Sequence, residues 1–332
     1  MSTGETRSRP SRPAARRPKD RAPEERPLVI TGISGNLGRL LARRLHTRFP
    51  IIGIDQRPFE GRPKDIMHYA IDARRRKAED IFRHYRVRAL IHLGLLHRPT
   101  RFGNLHRDFN VEGTVKLLEY CAKHGVPKVV LLSSAYAYGA RPDNSNFLTE
   151  EAPLRGGEDY PEERALIEWD IYAQNFLWRH PDIECVILRP VHVVGPHVRN
   201  APSNYLRLSH PPVLLGFDPM VQLLHEDDLI QAVLLSLEPG ARGVFNIVGP
   251  GEAPLSSILA ELGRQPVPIP HFLARPLLSR LWKLGVVNFP PGELPHLRYQ
   301  CMVDGRRARE ALGFRPQRSL RDTIRSLLEP TA

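Results

Sequence analysis

The chain has 332 residues, 41% of them hydrophobic and 25% charged, with a formal net charge of +12. That length admits about two domains or one large α/β unit, and that composition excludes a disordered or fibrous chain. No apolar run approaches the roughly 18 residues needed to cross a bilayer, and Arg and Pro stand at the N-terminus where a signal peptide needs an apolar stretch, so the chain reads as cytoplasmic with no membrane partner. Cys121, Cys185 and Cys301 lie too far apart for a zinc site or a disulfide framework and read as reduced, structural thiols. Residues 1–27 carry eight Arg or Lys and four Asp or Glu; the remaining positive excess is mostly Arg scattered through helical segments. No basic stripe interleaved with aromatics accompanies it, so nucleic acid is not an expected partner.

Residues 1–27, rich in Pro, Arg and Ser, hold too little apolar surface to offset ordering entropy and are expected to form a disordered basic tail. From Leu28 onward, short aliphatic runs alternate with amphipathic segments: 28–32, 51–55, 67–72, 89–94, 128–134, 184–190 and 244–249 are the runs, and Gly38 to Phe49 and Val111 to His124 are the clearest helical stretches. Near-continuous apolar strands separated by helices predict a doubly wound α/β fold, a parallel sheet covered on both faces. It is expected over 28–195, with a smaller substrate-binding region over 196–332 from which one strand, about 243–249, returns to the sheet. The most apolar part of that region, Val267 to Phe289, is interrupted by Arg275, Arg280 and Lys283. Pro276 is expected to break an interfacial helix there, so the stretch reads as a packed part of a lid.

Thr31-Gly32-Ile33-Ser34-Gly35-Asn36-Leu37-Gly38 directly follows the first predicted strand and opens an amphipathic helix. In that context Gly32 permits the tight turn, Gly35 lets backbone approach a pyrophosphate, and Gly38 lets helix meet strand. The N–H groups and positive dipole at the helix start then face the phosphates. Asp55, seventeen residues beyond Gly38, ends the second strand, where a carboxylate accepts hydrogen bonds from both ribose hydroxyls and repels a 2′-phosphate. NAD is therefore favoured over NADP, with Arg57 and Arg39 close enough in sequence to soften the choice.

These features, with Asp72 after the third strand, HLG at 92–94, Asn110, Gly113-Thr114, SSAYAYG at 133–139, Tyr160, LRP at 188–190, Gly195-Pro196 and HEDDL at 225–229, resemble the extended short-chain dehydrogenase/reductase family, the NAD-dependent epimerase/dehydratase group, over residues 28 to 325. The resemblance implies a Rossmann sheet. It also implies that Asp72 contacts the adenine edge, that Leu93 and Gly94 run along the cofactor together with Asn36 and Leu37, and that Asn110 supports the site from its helix. It places Ser134 as the hydroxyl that orients the substrate oxygen, Tyr160 as the general acid/base and Arg164 as the cation that lowers the tyrosine pKa, the last two also touching the cofactor. Ser134, Ala135, Tyr136 and His192 form the expected substrate set. The family commonly pairs through the helices at about 104–124 and 160–179, which implies a homodimer.

Three departures shape the expected chemistry. Arg164 stands where the family has Lys; it keeps the charge but not the ammonium's compact shape, and Glu162, Glu163 and Glu168 are near enough to pair with it. Ala135 and Tyr136 stand where dehydratases carry Asp-Glu, so dehydration is discounted. His192 and Val221 occupy positions where epimerases have a nucleotide-gripping Asn and Arg. The HEDD run at 225–228 fits a helix start better than a metal site, and no metal is assigned. The leading expectation is an NAD-dependent oxidoreductase or epimerase acting at a hydroxyl or carbonyl carbon of a sugar-like, possibly nucleotide-sugar, substrate. The alternative, prompted by Arg164, is a catalytically weak dinucleotide-binding sensor or partner-binding protein.

Overall fold

A computed structural model describes residues 26–95, 107–158, 161–284 and 291–329; the tail expected over 1–27 lies outside them apart from Arg26 and Pro27. The chain runs β1 (Leu28–Thr31), α1 (Asn36–Leu45), β2 (Ile51–Ile54), β3 (Met67–Tyr69), α2 (Arg76–His84), β4 (Ala89–His92), α3 (Glu112–His124), β5 (Lys128–Leu132), α4 (Pro161–Arg179) and β6 (Glu184–Pro190). It continues through β7 (His192–Val194), α5 (Ala201–Arg207), β8 (Pro212–Leu214), β9 (Met220–His225), α6 (Glu226–Ser236), β10 (Gly243–Ile247), β11 (Glu252–Pro254), α7 (Leu255–Glu261), β12 (Val267–Ile269), α8 (His271–Leu284), α9 (Arg306–Ala311) and α10 (Leu320–Arg325).

Seven strands form one sheet in the order β10-β6-β5-β4-β1-β2-β3, every neighbouring pair parallel. The direction of winding reverses between β1 and β4, so the crevice that binds ligands in such sheets opens at their carboxyl ends. The pleat of β1 sorts the two layers. Leu28 and Ile30 face Leu41 and Leu45 of α1 and Leu229, Ile230 and Val233 of α6, whereas Val29 faces Leu117 and Leu118 of α3, Trp169 and Phe176 of α4, and Ile81 and Phe82 of α2. This double burial is why the strands read as unbroken apolar runs.

Several expected runs are trimmed at their ends in the structure, and two are shortened most for local reasons. The run 67–72 is a strand only to Tyr69, because the Asp72 carboxylate accepts the Arg74 N–H and its carbonyl the Arg75 N–H, turning the chain toward α2. Helix α1 stops at Leu45 rather than Phe49; beyond it the Arg48 and Phe49 N–H groups both turn back to the Leu45 carbonyl, and Pro50 has no N–H with which to continue.

The remaining strands build a three-stranded sheet, β11-β9-β7, and a two-stranded one, β12-β8. Leu223, Ile258, Leu259, Ile324 and Leu327 form a third core beneath them. The C-terminal segment is stitched down at Val303: it bridges Leu148, and the Gln222 side-chain amide bonds both its N–H (2.9 Å) and its carbonyl (3.2 Å). Helix α8 runs through Pro276 without a break, contrary to the expectation that this proline interrupts it; the ring takes the place of one hydrogen-bond donor and the helix continues to Leu284. Among the described residues no helix is long and apolar enough to cross a membrane.

Candidate active site

The turn after β1 is shaped by what a side chain would meet. Gly32 has φ +70°, and a Cβ there would lie 2.7 Å from the Gly94 Cα; a Cβ on Gly38 would lie 2.3 Å from the Gly32 carbonyl oxygen. Both glycines are demanded by backbone closeness. A Cβ on Gly35 would meet the Gly32 oxygen at 3.1 Å and is otherwise the least confined of the three. It caps α1 with no side-chain hydrogen bond and no acid in the first turn, so the leading N–H groups of a ten-residue helix remain for an anion. The Asn36 amide donates to the His197 carbonyl at 2.6 Å, tying this turn to the loop after β7, and Leu37 packs onto the core.

Loop and turn close on each other across the switch point. Gly94 N–H donates to the Thr31 hydroxyl at 3.2 Å, which sits 2.6 Å from His92 Nδ1; His92 Nε2 lies 3.0 Å from the Thr114 hydroxyl, which donates to the Asn110 carbonyl at 2.6 Å. One tautomer satisfies the whole series, with the proton on Nε2. Asn110 thereby supports the site through its backbone, and Leu93 continues the crossing with its N–H on the Thr31 carbonyl. Gly32→Ala forces a positive φ and the Gly94 contact together, each worth about 1–3 kcal/mol. Calorimetry is therefore expected to show dinucleotide affinity reduced roughly a hundredfold in Gly32→Ala but only severalfold in Gly35→Ala; equal losses would contradict this division of roles.

Both carboxylates expected to meet the cofactor, Asp55 and Asp72, have arginine partners. Asp55 accepts the Ser34 N–H (3.2 Å) and the Arg57 N–H (3.0 Å), and also the Arg57 guanidinium through Nε (3.2 Å) and Nη2 (3.0 Å). The backbone donors fix the carboxylate, while the guanidinium, 63% exposed, is the part a ribose could displace. Asp72 is gripped by Arg74 through Nε and Nη2 (2.6 Å), with Arg74 stacked 5.1 Å over the Phe109 ring. Burial alone would raise the Asp72 pKa, and Arg74 outweighs it, holding the carboxyl below its ordinary value. Arg39 stacks over Phe59, away from this pairing.

Ser134 follows β5 and its hydroxyl accepts the Tyr136 N–H at 3.2 Å, starting a short helical turn, Ala135–Tyr138. A buried network holds that turn from below. Arg189 donates to both Asp170 oxygens (2.6 and 3.0 Å) and to the Tyr138 hydroxyl (2.8 Å), Tyr138 donates to the Asn246 side chain, and Ser133 bonds Asp170. The segment after β5, from Ser133 to Tyr138, is thereby joined to α4, β6 and β10 through these five side chains.

Tyr136 and His192, both expected in the substrate set, meet a third ring that the motifs do not signal. Ring centroids are 5.1 Å apart for Tyr136–His192 and 4.2 Å for Tyr136–His296. With Ala135, Val191, Gln222 and Cys301 they line a small cavity. Glu163 sits 3.4 Å from His296, and burial, then Glu293 and Glu163, push the Tyr136 phenol well above its ordinary pKa. His192 Nδ1 is buried with no hydrogen-bond partner, which leaves it for a polar group entering the cavity.

Burial lowers His192 to about 3 and lowers His296 and His225 as well. An unfolded imidazole, with pKa about 6.5, takes up a proton that folded His192 refuses, so the stability this group contributes is complete above that pH and is lost as pH falls from about 6.5 toward 3. One proton gives a slope of about 1.4 kcal/mol per pH unit. His192→Asn is expected to flatten the decline of urea-unfolding free energy between pH 6 and 4; an unchanged decline would show that His192 takes up its proton while folded.

The helix expected to carry the catalytic pair, α4, shows other pairings than the sequence suggests. Tyr160 lies outside the described residues. Arg164 is exposed and its Nε donates to the Gly157 carbonyl at 2.7 Å. Glu168 pairs with Arg107 (2.8 Å) and Glu163 turns to His296, so neither makes the expected pair with Arg164: the helical twist carries their side chains to other faces. The carboxylates of the HEDD run are absorbed locally. Glu226 bonds His197, Asp227 bonds Arg318, and Asp228 accepts the Gln317 and Arg318 N–H groups, while His225 caps α6. Among the described residues no group of three or more His, Cys, Asp or Glu could hold a metal ion.

Comparison with known proteins agrees with this fold. The model of the NAD dependent epimerase/dehydratase family matches residues 28–248. The chain belongs to that family. An uncharacterized protein of Mycobacterium tuberculosis is 32% identical over 214 residues, covering 64% of this chain and 56% of that protein. UDP-glucose 4-epimerase 2 of Oryza sativa subsp. japonica is 34% identical over 150 residues, 43% of this chain and 34% of the relative. The chain thus spans about half the length, or less, of these curated relatives. Among solved structures, UDP-glucose 4-epimerase of Thermotoga maritima with UDP-glucose superposes with a TM-score of 0.73 at 21% identity, covering 91% of this chain and 97% of that one. The dTDP-glucose 4,6-dehydratase of Bacillus anthracis in complex with NAD gives 0.71 at 16%, covering 92% and 96%. These family structures share the fold described above.

Proposed function

We propose that this chain is an NAD-dependent oxidoreductase or epimerase acting at a hydroxyl or carbonyl carbon of a sugar-like substrate, with a nucleotide sugar such as UDP-glucose the first to test. The observation that carries the reading is the β1–α1 turn: an uncapped helix start beside glycines that backbone contacts require, with the Asp55 carboxylate at the end of the adjacent strand. Those residues fit a dinucleotide. The diphosphate would lie on the first N–H groups of α1, and the adenosine ribose on Asp55 once Arg57 yields. Bound NAD supplies hydride transfer. Ser134 holds the substrate oxygen, Tyr160 moves its proton, and His192, through its unpartnered Nδ1, with Tyr136 positions the rest of the substrate. Mass spectrometry of the natively purified chain under gentle conditions is expected to report bound NAD; a chain that carries no dinucleotide and gives no calorimetric heat with NAD or NADH overturns the proposal.

A second reading, a catalytically weak dinucleotide-binding sensor, is favoured by one observation: Arg164, at the family's lysine position, is exposed and bonded to the Gly157 carbonyl. A cytoplasmic location and a homodimer belong to the leading proposal. The dimer face is the α3–α4 layer, where Ile171 is exposed and Trp178 is 78% exposed, one helical stripe of large apolar side chains. Trp178→Glu is expected to shift a light-scattering mass from dimer to monomer with no change in thermal midpoint beyond that of dissociation; a monomeric parent chain would remove the dimer.

A further inference from the structure

We infer that α8 is a docking helix for an anionic lipid surface. Its 14 residues include nine of Leu, Phe, Trp, Ala and Pro, yet only Ala274 is buried, so the stretch is not packed down as the lid its sequence suggests. Phe272 (68%) and Leu284 (76%) stand out at its two ends, and Leu273 and Leu277 are exposed between them. Leu273, Leu277, Arg280 and Leu284 fall at spacings of four, three and four, one stripe along the helix. Exposed Leu215 and Val267 extend the apolar surface at the N-terminal end, where β8 pairs β12 immediately before α8. Contiguous bulky apolar surface of this kind on a helix that the core barely uses marks a contact site.

Charge selects the partner. From Leu262 to Gly292 the chain has no Asp or Glu, while Arg264, Arg275, Arg280 and Lys283 stand within the same segment. Arg280 within the stripe and Lys283 beside it are both exposed on α8. Leucine and phenylalanine flanked by cations, with no carboxylate, complement phosphate headgroups above an acyl boundary. At about 21 Å the helix is too short to span a hydrocarbon core of about 30 Å, so it lies along the surface rather than crossing it. Such docking would hold the chain at a membrane with its carboxyl-end crevice unchanged, an activity separate from dinucleotide binding.

The test is co-sedimentation of the full-length chain with phosphatidylcholine vesicles, with and without phosphatidylglycerol. Binding is expected to be at least about tenfold stronger with phosphatidylglycerol and to weaken about fivefold for each of Arg280→Ala and Lys283→Ala. The pair Leu273→Glu and Leu277→Glu is expected to abolish it while leaving circular dichroism and NAD affinity unchanged. No preference for phosphatidylglycerol overturns the proposal. So does binding that survives the double leucine change, which would assign it to the basic first 27 residues. Lipid-free self-association abolished by the same change, without vesicle binding, would make the stripe a contact between copies and equally overturns it.

Discussion

Tyr160→Phe is expected to reduce turnover of UDP-glucose with NAD by about a hundredfold to ten-thousandfold while leaving dinucleotide bound, the range set by loss of a positioned proton-transfer group. The comparison that gives this meaning is Tyr136→Phe. Tyr136 is the tyrosine that lines the small cavity with His192 and His296, but burial and the Glu293 and Glu163 carboxylates push its phenol up, so it holds its proton at neutral pH and acts as a hydrogen-bond donor. Its loss should therefore raise KM more than it lowers kcat. If Tyr136→Phe is instead the variant that loses kcat, the acid/base role moves to the Tyr136–His296 pair. If the parent chain is inactive and Arg164→Lys gains turnover, the weakly catalytic reading holds.

Asp170→Asn is expected to lower the unfolding free energy by about 3–5 kcal/mol, because it leaves a guanidinium buried beside a neutral amide. The Arg189 side chain is 1% exposed and Asp170 fully buried, and Arg189 bonds both carboxylate oxygens. Burial opposes the arginine's charge and Asp170 overrides it, holding the Arg189 pKa above its ordinary value. Joint replacement by Asp170→Leu and Arg189→Met should recover much of the loss, since a buried ion pair is worth little over well-packed apolar groups. Urea denaturation of the two variants decides it: a loss below about 1 kcal/mol in Asp170→Asn would mean water reaches the pair. Because Ser133 also bonds Asp170, the same substitution should loosen the Ser134 turn and weaken substrate binding.

What the sequence disclosed, and what it withheld, follows from range. The placement of Gly32, Gly38 and Asp55 around one turn was legible because it is set by backbone within one strand-turn-helix unit, and a short spacing suffices to recognise it. The alternation of apolar runs and helices likewise specified the parallel sheet before any contact was known. His296 was not legible: it reaches Tyr136 across 160 positions, from a segment whose local pattern carries no motif. The partners of Glu163 and Glu168 were missed for a related reason, since proximity in sequence suggested Arg164 while the helical twist sent each to another element. Pro276 shows propensity overridden, one proline being tolerated inside a helix that otherwise favours its form.

The place of β10 has a consequence for how the chain must be made and cut. β6 is an apolar strand, ECVILRP, with β5 on one side and only β10 on the other, and β10 arrives after β7 to β9 and two helices have been laid down. Until then the nascent sheet ends in a bare row of amides and carbonyls flanked by valine, isoleucine and leucine, a template for adding a strand from another molecule. A fragment ending near residue 240 keeps the whole dinucleotide turn yet should precipitate or pair edge to edge, and refolding yield of the intact chain should fall as its concentration rises.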